Sequence, residues 1–136
     1  MTDSTRDNGA LVPHVSNLTP FVHVTDVVRS VGFYALLGFD VRATFEPRGS
    51  LVWAYLESEQ AQLMLALADQ PINQAEQAIL FYLYAHDLAG LRAHLIDHGV
   101  LAGKIVDGSP GPREEMRVSD PDGYVLMIAQ IDEQAS

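Results

Sequence analysis

One interval occurs twice in this chain. Asp26 opens a helical pattern that closes on Leu37-Gly38-Phe39, and Asp87 opens one that closes on His98-Gly99-Val100. The step from Asp to Gly is twelve residues in both cases. Each Asp suits an N-cap, and each Gly suits the left-handed position just past a helix. Between them, Val27, Val31, Tyr34 and Leu37 in one half, and Leu88, Leu91 and Leu95 in the other, recur at helical spacing. A chain with such a repeat is built from two like units.

The flanks repeat too. A β-like run precedes each helix, Thr19 to Val24 and Ile79 to Tyr84. Three candidate strands follow each. After the first helix come Val41 to Phe45, Leu51 to Leu56 and Gln62 to Leu67; after the second come Lys104 to Val106, Met116 to Ser119 and Tyr124 to Gln130. The closing strands match in wording, Leu63-Met64-Leu65-Ala66 against Leu126-Met127-Ile128-Ala129. The order predicts an α+β fold of two tandem βαβββ modules. Pro47-Arg48-Gly49-Ser50 breaks one hairpin, and Asp120-Pro121-Asp122-Gly123 suits a type I turn. Gly108 to Pro112 reads as a loop. The expected layout is a polar tail over 1–17 and one domain over 18–132. That domain comprises module 1 (18–67), a linker (68–76) and module 2 (77–132).

Composition narrows the function. Of 136 residues, 48% are apolar and 19% charged, enough for a real core in one domain. Eighteen acids against eight Lys and Arg give a net charge of −10, which argues against nucleic acid as a partner. Acidic charge keeps a protein soluble and also draws cations. No apolar run is long enough for a membrane span, and Met1 to Asn17 has neither the basic nor the apolar part of a secretory signal. The chain has no cysteine, which removes disulfides, thiolate metal sites and a thiol nucleophile, and fits a cytoplasmic protein. No Gly-x-Ser-x-Gly, P-loop or dinucleotide glycine pattern occurs.

The segment His23-Val24-Thr25-Asp26 through Gly32-Phe33-Tyr34 to Leu37-Gly38-Phe39, with Arg113-Glu114-Glu115 and Asp120-Pro121-Asp122-Gly123-Tyr124, resembles the vicinal-oxygen-chelate superfamily of glyoxalases, bleomycin-resistance proteins and dioxygenases. The resemblance runs from about Leu18 to Asp132 and is nearest to the bleomycin-resistance branch, through Trp53 to Leu67 and Leu126 to Gln130. It implies curved mixed sheets around a concave pocket, helices outside, and a homodimer with pockets built between modules. Bleomycin-resistance proteins sequester a ligand without catalysis, whereas other members are metal enzymes.

The resemblance also places the metal ligands. In this chain those positions are Thr19, Met64, Leu80 and Met127. A hard or borderline divalent ion needs converging N or O donors, and these four do not supply them. A slip of one residue in either direction brings in Leu, Ile, Phe or Pro instead. No metal and no other cofactor is expected.

Strand alternation places Phe21 and His23 with Thr19, Tyr82 and Tyr84 with Leu80, Gln62 and Val125 beside Met64 and Met127, and Trp53 with Tyr55. The expected ligand-binding set is Phe21, His23, Trp53, Tyr55, Met64, Tyr82, Tyr84, Glu115, Arg117 and Met127. An aromatic stripe at strand spacing equally suits a core or a dimer interface. His23 is the one catalytic candidate, as a base titrating near neutral pH; a structural histidine is the plainer reading. His94 and His98 share a helix face at a spacing that can bind zinc, but without the usual Glu they read as a solvated pair. Asp120 and Asp122 read as a turn. The expected function is metal-free binding of a small organic molecule. The alternatives are a lyase, isomerase or dioxygenase of the same superfamily, and a degenerate dimeric interaction module.

Overall fold

Both helices begin and end as their local chemistry requires. In the computed structural model, which describes residues 13, 15–76, 79–108 and 114–131, α1 spans Val27–Ala35 and α2 spans Leu88–Asp97. The Asp26 carboxylate accepts from the Arg29 N–H at 3.1 Å, and Asp87 accepts from Gly90 at 3.0 Å. At the far ends, Gly38 and Gly99 take φ of 95° and 82°. The next N–H then turns back, Phe39 to the Tyr34 carbonyl at 3.1 Å and Val100 to the Leu95 carbonyl at 2.9 Å. The repeat seen in the sequence is thus a repeat of capping geometry.

Each module makes a four-stranded mixed sheet. Module 1 contains β1 (Phe21–Val24), β2 (Asp40–Phe45), β3 (Trp53–Ser58) and β4 (Ala61–Leu67), in the order β1-β4-β3-β2. Module 2 contains β5 (Leu80–Ala85), β6 (Val106–Asp107), β7 (Glu114–Ser119) and β8 (Val125–Gln130), in the order β5-β8-β7-β6. In each sheet the first and last strands pair in parallel, Phe21 with Met64 and Tyr82 with Met127.

Strand bounds shift from expectation for local reasons. β1 starts at Phe21 rather than Thr19 because Pro20 has no N–H to give to a ladder. β3 runs later than expected, from Trp53 to Ser58, and β7 starts earlier, at Glu114. The strand expected over Lys104 to Val106 is reduced to Val106–Asp107. Before it, the chain follows β7 through an Ala102–Val118 bridge and a Gly103 N–H to the Arg117 carbonyl at 2.9 Å. Pro47–Gly49 and Gln74–Glu76 are short 3₁₀ turns. The expected tail over 1–17, Arg113 and the tip of the Gly108 to Pro112 loop fall mostly or wholly outside the described residues.

Alternation puts one face of every central strand in the core. Val22, Val24, Ala54, Leu56, Leu63 and Leu65 in module 1 join Met116, Val118, Leu126 and Ile128 in module 2, with α1 over β3 and β4 and α2 over β8. Each fully buried Leu or Val side chain contributes about 2 kcal/mol by removal from water. Ser30 is fully buried on α1, and among the described residues its hydroxyl has no partner. Ser30→Ala is therefore expected to raise stability by about 1 kcal/mol, read as a higher urea midpoint.

The seam between modules is held unequally. The Asp120–Gly123 turn closes through the Gly123 N–H to the Asp120 carbonyl at 3.0 Å and docks on module 1. The Asp122 carboxylate accepts from the Thr25 N–H at 3.1 Å and the Thr25 hydroxyl at 2.5 Å, and pairs with Arg29 at 3.4 Å. The Tyr34 phenol donates to Asp120 at 2.7 Å, and the Tyr124 phenol to the His23 carbonyl at 2.9 Å. On the other side, Glu59 in the matching hairpin of module 1 pairs with His86 at an exposed position, at 3.1 Å. Beside that pair a cleft of about 370 Å³ opens along the β5 edge.

Candidate ligand-binding site

The helix-free faces of the two sheets hold all ten residues expected to meet a ligand. On the first sheet Phe21, Met64 and Tyr55 stand in one cross-strand row, and His23, Ala66 and Trp53 in the next. On the second, Tyr82, Met127 and Arg117 form one row, and Tyr84, Ala129 and Glu115 the next. The ten expected residues therefore divide evenly between two faces, one on each module. In the first module the β3 and β4 residues are half-buried, while Phe21 is 52% exposed. Leu80 at 50% and Tyr84 at 62% are likewise left open. Large apolar side chains this open are a common feature of surfaces that bind a ligand or a partner.

Rings contact one another along each edge strand. Phe21 and His23 meet edge-on at 5.5 Å, and Tyr82 and Tyr84 lie tilted at 5.6 Å. Two carboxylates serve these faces as acceptors. The Tyr55 phenol donates to Glu57 at 3.0 Å, and Arg42 donates to the same carboxylate at 3.1 Å. The Tyr82 phenol donates to Glu115. That bond to Glu115, with partial burial, pushes the Tyr82 phenol up to about 12. Burial, aided by Glu57, raises Tyr55 as well. Both phenols thus stay protonated at neutral pH and serve as fixed donors.

The superfamily's metal-ligand positions do not fit an ion. Thr19 donates its hydroxyl to the Gln62 amide oxygen at 3.1 Å. Met64 and Met127 lie between aromatic or Arg neighbours, and Leu80 pairs with Val125. Thr, Leu and two thioethers do not make a donor set for Zn, Fe, Mn or Ni. Among the described residues no three His, Cys, Asp or Glu side chains are grouped so that they could hold a metal ion.

His23 lies on the helix-free face of its sheet, and its ring packs on Phe21. His94 and His98 lie on the exposed side of α2 with rings 4.5 Å apart, and His98 Nδ1 bonds the His94 carbonyl at 2.8 Å. Glu57, Arg42 and Ala129 were missed from sequence. Only the Tyr55-x-Glu57 spacing, which puts both on one side of a strand, signals one of them.

Among curated proteins, none matches this sequence. Solved structures share its fold. A bleomycin-binding protein complexed with bleomycin superposes at a TM-score of 0.70 with 19% identity, over 87% of this chain and 100% of that one. TnmS3, an antibiotic binding protein from Streptomyces sp. CB03234, gives 0.67 and 24% over 88% and 98%. A glyoxalase/bleomycin resistance protein from the same Streptomyces gives 0.62 and 26% over 85% and 100%. A family model for the Glyoxalase/Bleomycin resistance protein/Dioxygenase superfamily matches residues 12–128, and the chain belongs to that superfamily.

Proposed function

We propose that this protein binds and sequesters a small organic molecule without a metal, in pockets completed when the open face of one copy is covered by a second. The reading is supported by the side chains at the four positions expected to hold a metal, Thr19, Met64, Leu80 and Met127, and by the aromatic residues in the same cross-strand rows. Such walls, mostly apolar with a few placed polar groups, suit an organic ligand. Methionine adapts to varied shapes, and aromatic faces stack on planar ligands. The bleomycin-binding and antibiotic-binding proteins of like fold are precedents for this use. A cytoplasmic location is part of the proposal, supported by the lack of cysteine. No helix among the described residues is long and apolar enough to cross a membrane. Module bounds at 18–67 and 77–132 belong to the same reading.

Trp53 is the only tryptophan and stands on an open face, so it reports its own site. Titration with bleomycin and a panel of planar antibiotics is expected to give saturable quenching by at least one compound. The bound compound should be recovered chemically unchanged, and EDTA should not alter its affinity. Turnover, or binding restored only by Zn, Ni, Mn or Fe(II), would place the protein among the enzymes of its superfamily. Sedimentation at micromolar concentration is expected to give the mass of two chains; a monomer that still binds ligand would remove the second copy from the site.

A further inference from the structure

We propose that Tyr82, Tyr84 and Glu115 form a half-cage that selects a cationic organic ligand, an aromatic or alkylated ammonium, over neutral and anionic ones. The inference rests on the binding function proposed above and names its ligand class.

The geometry begins with β5. Tyr82 and Tyr84 alternate onto one side of this edge strand and remain 42% and 62% exposed, with ring centres 5.6 Å apart. Cations are attracted to such ring faces, more strongly when water is excluded. In the row Tyr84–Ala129–Glu115, the central residue contributes only a methyl. Tyr82, one row along, spans this low point to donate to Glu115. A phenol held by a carboxylate keeps its hydrogen on the shared side, so Glu115 remains the acceptor and Tyr82 is fixed in place. The result is two aromatic faces with a carboxylate at their edge. Such a site favours an ammonium and, through repulsion by the carboxylate, disfavours an anion.

There is room for the rest of a ligand. The cleft of about 370 Å³ along the β5 edge is lined by Leu37, Phe39, Tyr82, Tyr84 and the Glu59–His86 pair. That volume falls within the range of small-molecule sites. Its apolar side suits an aromatic body, while Glu59 adds a second carboxylate. The whole-chain charge of −10 acts in the same direction by concentrating cations near the surface. Arg117 is the counterweight. It is exposed on the same face, in the row of Tyr82 and Met127. It is set one row away from Glu115, so the ammonium is assigned to the carboxylate and rings.

Three probes with one ring system test this: (9-anthracenylmethyl)trimethylammonium, 9-anthracenemethanol and 9-anthracenecarboxylate. Equilibrium dialysis with the full chain is expected to show the cation binding at least tenfold more tightly than the alcohol, and the anion most weakly. Glu115→Gln and Tyr84→Leu should each cut the preference for the cation severalfold. Circular dichroism should confirm that both variants fold. Equal binding of cation and alcohol would overturn the selection and leave the binding function standing. Tightest binding of the anion would do the same and assign charge reading to Arg117. Saturation by none of the three below millimolar would count against both.

Discussion

Asp120→Ala is expected to destabilise the protein by about 4 kcal/mol, measured as a drop in urea midpoint at unchanged slope. Asp120 is 5% exposed and accepts three hydrogen bonds, from the Tyr34 phenol at 2.7 Å and from the N–H groups of Asp122 and Tyr124 at 2.8 and 2.9 Å. Alanine would strand all three donors, each at roughly 1–3 kcal/mol when water cannot reach it. Against a typical total stability of about 5–15 kcal/mol, that loss brings the chain near unfolding. Tyr34→Phe, which removes one donor and leaves the turn closed, is expected to cost about 1 kcal/mol. A smaller loss for Asp120→Ala than for Tyr34→Phe would show that the turn does not hold the modules together.

The same carboxyl gives stability a pH dependence. Burial raises the Asp120 carboxyl above its ordinary 3.8, and the bonds from Tyr34 and the two N–H groups only partly offset this. The native state therefore holds that proton more tightly than the unfolded chain does. This group's contribution is full below 3.8 and falls as pH rises through the higher native value. Asp120→Asn, which keeps an acceptor for the N–H groups, is expected to remove that component and flatten the acid limb of the stability curve.

The second large effect concerns binding. The paired change Met64→Arg and Met127→Arg is expected to weaken ligand binding more than 100-fold, about 2.7 kcal/mol, in the Trp53 titration. The melting temperature should move by only a few degrees. Met64 stands between Phe21 and Tyr55, and Met127 between Tyr82 and Arg117. Both are half-buried on the open faces, so guanidinium groups there would find water in the free protein and lose it under an apolar ligand. One residue further on, Leu65→Ala would do the reverse. Leu65 is fully buried under α1 and its loss is expected to cost about 2–5 kcal/mol of stability. Unchanged binding in the double Met variant would move the ligand off both faces.

Several features were legible because they depend on neighbours in sequence. Asp26 with Gly38, and Asp87 with Gly99, announce caps because a helix end is a local geometry. Met64 and Met127 announce an open face because alternation along a strand has a period of two. The superfamily's ligand positions could be checked one by one for the same reason. Asp120 and Asp122, by contrast, look like any polar turn. Their partners Tyr34 and Thr25 lie 86 and 97 residues away. Nothing in a turn motif specifies a bond over that distance.

The sequence by itself determined the two modules, their capped helices and the residues that share each strand face. Only the tertiary structure decided which strands became neighbours, and so which side chains share a cross-strand row. It alone joined Tyr82 to Glu115 across two strands, locked one side of the seam with buried carboxylates and left the other side as a cleft. The reason is physical: caps and alternation are fixed within a few residues of backbone, whereas these contacts exist only once strands far apart in sequence have paired and the two sheets have packed together.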